Sequence, residues 1–385
     1  MKILLVRGSS QPVNSSFYNL QEIGLARALA KKNIKCDIVY INSEKSMKKE
    51  TVYTFKDVSV DIYWVPGLRI FKDAIYVNLF LKGFFHDYDI IQSAEYNSIM
   101  TLLISLLYRN KLIVYHGPYD EGRHKKIYKL FDILFLNLIR KNTKFIFTKS
   151  ILAEEYLRQK GFKNIETIGV GLDIENLRDK NNESDEVLFN KDNFKYILYA
   201  GVLEDRRNIL FILEVLQIIL KKKENVKLII IGKGEEDYVK KAFDYAEALG
   251  VGNSIIHHEK TPQKEMYKYY MTADVFIFPS KMEIFGMVLL ESMFYGVPTV
   301  SSYNGGACTL IEHESNGYIH KDFNKKEWAS RIIEILDNEN IEKLKQKSKE
   351  TILAKYTWDT IADRFIEKYR FLASHNINVR KDKSN

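Results

Sequence analysis

Cysteine is scarce in this 385-residue chain: there are two, Cys36 and Cys308, far apart and at no spacing that holds a metal or a redox pair. That excludes a disulfide framework and leaves two plain buried thiols in a reducing compartment as the expectation. Long apolar runs are missing too. No stretch of about 20 apolar residues is available to span a bilayer. Met1 leads straight into Lys2-Ile3-Leu4-Leu5-Val6, without the h-region and cleavage site of a signal peptide. A cytoplasmic protein, free or peripheral on the inner face of the plasma membrane, is therefore expected. The first loop lacks a dinucleotide-binding glycine fingerprint, since Gly8 is followed by Ser9, Ser10 and Gln11. No metal ligands are assigned: His257 and His258 are strand neighbours on opposite faces, with no carboxylate–His cluster about them. No basic helix and no repeated aromatic platform points to nucleic acid as a partner.

What the chain does have is enough apolar residue, 46 %, for two cores, and its length sets two domains as the expectation. Its net charge of +8 is uneven. Residues 1–175 carry 26 Lys and Arg against 18 Asp and Glu, whereas residues 176–385 carry 32 against 32. A basic first half points to an acidic partner: an anionic membrane surface, a phosphate-bearing acceptor or nucleic acid.

Short apolar runs alternate with helical patterns along the whole length, which is the rhythm of α/β folds with parallel sheets. Strands are expected at 2–6, 36–41, 61–64, 89–92, 111–115, 145–148 and 165–168, with helices between them, one of them at 71–84. After a polar linker at 179–193, strands at 195–200, 226–231, 255–258, 275–278, 297–301 and 318–320 form a second series. The domains are thus expected at 1–178 and 194–357, with a last amphipathic helix at about 358–373.

The most informative stretch is Ala273 to Gly306, ADVFIFPSKMEIFGMVLLESMFYGVPTVSSYNGG. Val275 to Phe278 suits a strand buried on both faces, and Pro279 ends it. Gly286 opens a helix that Gly296 and Pro298 close, and Val297 to Ser301 is the next strand. Ligands of open α/β sheets bind at the carboxyl ends of strands, and a helix N-terminus there favours phosphate. Glu283 stands in the loop. With the helix starting near Phe285, Glu291 is about two turns in, placed to accept hydrogen bonds from a ribose diol.

Glu283-Ile284-Phe285-Gly286 through Glu291, with Gly296-Val297-Pro298 and Gly305-Gly306 following, resembles the E-x7-E motif of the family-4 retaining glycosyltransferases. Gly201 to Asn208 resembles that family's diphosphate loop, with Arg207 at its Lys position, Val202 at its Arg position and Arg206 as the substitute cation. The resemblance covers nearly the whole chain and implies the GT-B fold: two Rossmann-like domains facing across a cleft, the terminal helix crossing back to the first. It implies a donor nucleotide sugar, UDP favoured over GDP, bound by Gly201, Arg206, Arg207, Thr261, Glu283, Phe285, Gly286 and Glu291. Glu283, His116 and Arg207 then serve catalysis, His116 meeting the sugar from the end of its strand. Ser15, Ser16 and Asp120 are assigned to the acceptor, a glycan or lipid-linked glycan of surface polysaccharide synthesis. The family retains anomeric configuration, with the leaving phosphate as base and no metal or cofactor. Two other readings stand: an inactive phosphoglycan- or membrane-binding protein on the same fold, and a nucleotide-sugar epimerase.

Residues 125–142 are the most amphipathic stretch. Ile127, Leu130, Leu134, Leu138 and Ile139 recur at helical spacing, Phe131 and Phe135 widen the stripe, and lysines and Arg140 gather at the ends. Such a helix either covers the sheet or lies on an anionic lipid surface.

Overall fold

In the computed structural model the residues described are 1–15, 20–120, 122, 125–175, 177, 188–189, 193–338 and 341–381. The chain parts into two compact units, residues 1–171 with 358–385, and residues 172–357.

Apolar runs such as Ile3-Leu4-Leu5-Val6 bury both faces, as strands of a covered parallel sheet must. In the first unit β1 (Lys2–Val6), α1 (Gln21–Lys31), β2 (Lys35–Asn42), β3 (Lys48–Phe55), β4 (Val58–Pro66), β5 (Leu68–Ile70), β6 (Asp73–Ile75) and α2 (Val77–Leu81) come first. Then follow β7 (Ile90–Ala94), α3 (Ile99–Leu107), β8 (Leu112–His116), α4 (Lys125–Asn142), β9 (Phe145–Thr148), α5 (Ile151–Gln159) and β10 (Ile165–Thr167). Eight strands form one sheet in the order β10-β9-β8-β7-β1-β2-β4-β3, parallel except for the β3–β4 hairpin at its edge.

The second unit holds β11 (Lys195–Ala200), α6 (Ile209–Leu220), β12 (Val226–Ile231), α7 (Glu236–Ala248), β13 (Ile255–His258), α8 (Met266–Thr272) and β14 (Val275–Phe278). It continues with α9 (Met287–Phe294), β15 (Thr299–Ser302), α10 (Gly305–Leu310), β16 (Tyr318–His320), α11 (Lys325–Asp337) and α12 (Glu342–Lys355). Its six strands are all parallel, in the order β13-β12-β11-β14-β15-β16. Both sheets are doubly wound, with the strand order reversing between β1 and β7 and between β11 and β14; such reversals open a crevice at the carboxyl edge.

The helix α13 (Trp358–Lys381) belongs to the first unit. Trp358 lies between two glycines: a Cβ on Gly24 would stand 2.1 Å from its Nε1, and one on Gly171 2.3 Å from its Cδ2. Phe365 packs edge-on against Tyr115 and Phe147, and the Tyr369 hydroxyl donates to Gln92 Oε1 at 2.6 Å.

Three expectations change. The helix foreseen over 71–84 is instead the β5–β6 hairpin, then α2 and a 3₁₀ turn; Phe71 holds a left-handed φ of 53°, which breaks any helix there. The strand β3 went unforeseen, because its sequence KKETVYTF puts polar residues on an exposed edge. The domain boundary falls at 171/172 rather than 178, since Leu172 N–H donates to Tyr356 O at 2.7 Å and pairs with Thr357. Most of the foreseen linker lies outside the described residues. Leu188 and Phe189 within it dock on the second unit, through Thr272 and Tyr196.

Candidate functional site

The switch point of the second sheet brings together two loops far apart in sequence, the one after β11 and the one after β14. A 3₁₀ turn, Asp205–Arg207, carries the two arginines. Arg207 Nη1 donates to Glu283 Oε2, and its guanidinium lies 5.2 Å from the centre of the Phe278 ring. Both partners are largely buried, and Arg207 Nε lacks a hydrogen-bond partner among the described residues. Arg206 is more open: its Nε pairs with Glu204 at 2.7 Å and its Nη1 donates to Met282 O at 3.0 Å. Lys281 N–H closes the seam by donating to Arg206 O at 2.8 Å. Val202, where the family pattern has Arg, is 49 % exposed, so that position carries no cation toward these groups. Gly201 anchors the loop's start through its N–H on Ile231 O, 2.9 Å.

Glu283 sits at a crossing of three segments. Its carbonyl accepts from Gly305 N–H at 3.0 Å, and a Cβ on Gly306 would stand 1.6 Å from Phe285 O. The Gly305-Gly306 pair is thus a matter of backbone contact between the β14 and β15 loops. Gly286, φ 78°, turns the chain into α9, and Phe285 is buried beside Tyr356. The helix begins at Met287, directly after Gly286, as the run of helix formers there indicates. Glu291 is therefore little more than one turn in, and it is buried. Its Oε2 accepts from the Tyr270 hydroxyl at 2.8 Å and its Oε1 from Gln263 Nε2 at 3.4 Å. Tyr295 stacks on Tyr270, ring centres 5.4 Å apart. Thr261 lies partly buried in the loop before Gln263. Sequence reasoning missed Tyr270 and Gln263, because an acid's partners two elements away leave no local signature.

The first unit has its own cluster at the carboxyl edge of its sheet. His116 ends β8 but is fully buried, and it does not present itself to a ligand as expected. Its Nδ1 lies 2.7 Å from Glu95 Oε2, its ring stacks on Tyr156 and meets Tyr96 edge-on, and its Nε2 is buried with no hydrogen-bond partner among the described residues. Glu95 is the residue that sequence reading passed over. It follows β7 directly, in a left-handed conformation with φ 60°, and its side chain keeps 28 % exposure. Gly117 N–H donates to it at 3.1 Å and Lys149 lies 3.7 Å away. Burial pushes its carboxyl up, but His116, Lys149 and the Gly117 N–H outweigh this and hold it below the ordinary glutamate range. Its left-handed backbone just past a strand is visible only in the structure; the sequence Ala94-Glu95-Tyr96 carries no sign of it.

The acceptor-side residues make local contacts. The Ser15 hydroxyl donates to Glu50, 3.2 Å, tying its loop to β3. Asp120 accepts from Gly122 N–H at 3.1 Å, an Asx turn at the surface. Ser16 lies outside the described residues. Asp87-Tyr88-Asp89 has an Asp-x-Asp spacing that sequence reading overlooked. It precedes β7, at the amino edge, where Asp89 accepts from Lys2 N–H at 2.8 Å.

Two family models match adjoining parts of the chain: Glycosyltransferase Family 4 over residues 23–176, and Glycosyl transferases group 1 over residues 180–352. An uncharacterised glycosyltransferase of Methanocaldococcus jannaschii is 32 % identical over 182 residues, 47 % of this chain and 46 % of the relative. A lipopolysaccharide 1,2-N-acetylglucosaminetransferase of Salmonella typhimurium is 28 % identical over 183 residues, 45 % of this chain and 48 % of the relative. These matches span about half the length of those relatives. Among solved structures, sucrose-phosphate synthase of Thermosynechococcus elongatus superposes with a TM-score of 0.74 at 16 % identity, covering 97 % of this chain and all of the other. Anabaena HepE, solved with UDP, gives 0.73 at 18 % identity, covering 96 % and 99 %.

Proposed function

Since the chain has the GT-B fold and belongs to the family-4, group 1 glycosyltransferases, we propose that it moves a sugar from a nucleotide donor to a glycan or lipid-linked glycan, with retention of configuration. The observation that carries this reading is the meeting of Arg206, Arg207, Glu283 and the N-terminus of α9 at the switch point of the second sheet.

Cleaving a nucleotide sugar puts growing negative charge on the leaving diphosphate, and fixed donors and cations at that place lower the barrier. Two guanidinium groups, each able to grip phosphate oxygens in pairs, stand beside a helix N-terminus. They supply that charge without calling on a metal or a cofactor. Glu291, held by Tyr270 and Gln263, keeps a carboxylate ready for the ribose diol. Glu283 holds sugar hydroxyls while Arg207 fixes its orientation. In the first unit, Glu95 takes the place given to His116 in the sequence reading, and His116 acts as its positioning residue. The basic first half suits an acceptor with phosphate. HepE is known with UDP and with UDP-glucose, which supports UDP as the nucleotide. The Salmonella relative's lipopolysaccharide activity supports an acceptor of the cell surface, reached from the cytoplasmic side.

Calorimetric titration of UDP, GDP and ADP in EDTA tests the reading. Metal-independent binding of UDP in preference to the others is expected. If none of the three binds, the fold serves recognition rather than transfer; sugar isomerisation without acceptor would identify an epimerase.

A further inference from the structure

Helix α4 has two apolar faces, and the structure uses only one. Phe131, Phe135, Leu136 and Ile139 pack against the first unit's core. On the other side Ile127, Leu130, Ile133, Leu134 and Leu138 stand 43, 58, 79, 59 and 36 % exposed. A run of five such side chains on one 18-residue helix is more than the scatter of single apolar residues normal on a surface.

The exposed charges of α4 itself have one sign. Lys125, Lys126, Lys129, Arg140 and Lys141 are all exposed. The helix's one acid, Asp132, turns inward, where it accepts from the Tyr96 hydroxyl at 3.1 Å and pairs with Lys160. The open face is therefore apolar along its middle, basic at both ends and free of carboxylate. Nearby elements repeat the combination. The tip of the β5–β6 hairpin presents Phe71, 83 % exposed, with Arg69 and Lys72 exposed beside it, and Leu81 stands exposed before Lys82. Helix α3 packs against both α4 and β6.

We propose that this face of α4 lies on an anionic phospholipid surface and holds the first unit there. An interfacial helix needs apolar side chains for the acyl boundary and cations for the head groups, which is the distribution found. Among the described residues no helix is long and apolar enough to cross a membrane, and the proposed contact is with the interface, not a span. A second copy of the chain suits the face poorly. A two-fold contact would bring Lys125, Lys126 and Lys129 of one copy against Arg140 and Lys141 of the other, all of one sign. The inference rests on exposure and charge, not on the transfer reaction, and it stands or falls separately from it.

Sedimentation of the full chain with sucrose-loaded vesicles tests it. The wild type is expected to pellet with phosphatidylcholine vesicles containing phosphatidylglycerol, to stay in solution with phosphatidylcholine alone, and to be released by salt. Ile133→Asp with Leu134→Asp should reduce the bound fraction about tenfold or more, with an unchanged melting temperature and unchanged nucleotide binding. Lys125→Glu, Lys126→Glu and Lys129→Glu together should do the same. A wild type that ignores the anionic vesicles, or an aspartate variant that binds them equally well, would overturn the proposal. So would a dimer in light scattering that the aspartate variant turns into a monomer, since that makes a second copy the occupant.

Discussion

Arg207 donates to Glu283 across the switch point of the second sheet, tying the loop after β11 to the loop after β14. Two residues read from sequence as separate donor contacts are thus a single unit. Each orients the other before any ligand arrives, and the buried pair is sensitive to loss of either member.

Removing one member leaves the other charged and largely buried. Arg207→Ala is expected to lower stability by about 1–3 kcal/mol, the cost of an unsatisfied buried group, and to weaken UDP binding as well. Urea denaturation and calorimetry read the two effects. Glu283→Ala should cost turnover more than UDP affinity, because its partner then remains free for phosphate. Wild-type stability and affinity in Arg207→Ala would remove the pair from both roles.

Glu291 is expected to act through its carboxylate. Glu291→Ala should weaken UDP binding by about 1.5–3 kcal/mol, the scale for hydrogen bonds to a charged group. Tyr270→Phe removes the 2.8 Å donor on Oε2 and should weaken it by about 0.5–1.5 kcal/mol. Uridine should show the same losses as UDP, since the ribose is common to both. Equal affinities across the three proteins would exclude the ribose assignment.

Much of this site was legible in sequence. The apolar runs of β11 and β14 and the Gly286 turn into α9 mark their own positions through periodicity and backbone chemistry. The Arg207–Glu283 bond was not legible, for it depends on strand order, which local pattern does not carry. His116 shows the same limit from another side: a histidine ending a strand reads alike whether it faces a ligand or, as here, is itself buried against Glu95. The helix expected over 71–84 failed for a local reason, since one left-handed residue at Phe71 outweighs a helical spacing of apolar residues.

Gly306 supplies a steric test. A methyl group there would meet Phe285 O at 1.6 Å, and that atom is backbone, which cannot swing aside as a flexible side chain can. Gly306→Ala should therefore lower the second unit's stability by about 3 kcal/mol or more, or shift the β14 loop and abolish UDP binding. Thermal denaturation followed with and without UDP reads both. An alanine variant that melts and binds normally would show that the loops are not locked.

His320 gives a pH test. Its imidazole stacks on Trp328, and burial, with Arg331 and His313 nearby, holds its pKa below the usual 6.5; Asp322 opposes this without reversing it. The folded state thus binds this proton less readily than the unfolded chain. Stability should be constant for this group above pH 6.5, then fall as pH drops below that value toward the folded pKa. His320→Gln should flatten that part of the profile in urea denaturation between neutral and mildly acidic pH. An unchanged profile would assign the acid sensitivity elsewhere.

The return of α13 to the first unit has a consequence for synthesis. Gly24 and Gly171 leave a slot that only Trp358 fills, and Tyr369 reaches back to Gln92. The first unit, whose strands all emerge early from the ribosome, therefore waits without its last helix while the whole second unit is made. The later half can finish folding before the earlier one. For that interval the first half carries an open apolar seam along α1, β8 and β9, so a stalled ribosome or a stop codon near 357 leaves a sticky nascent chain rather than a working half.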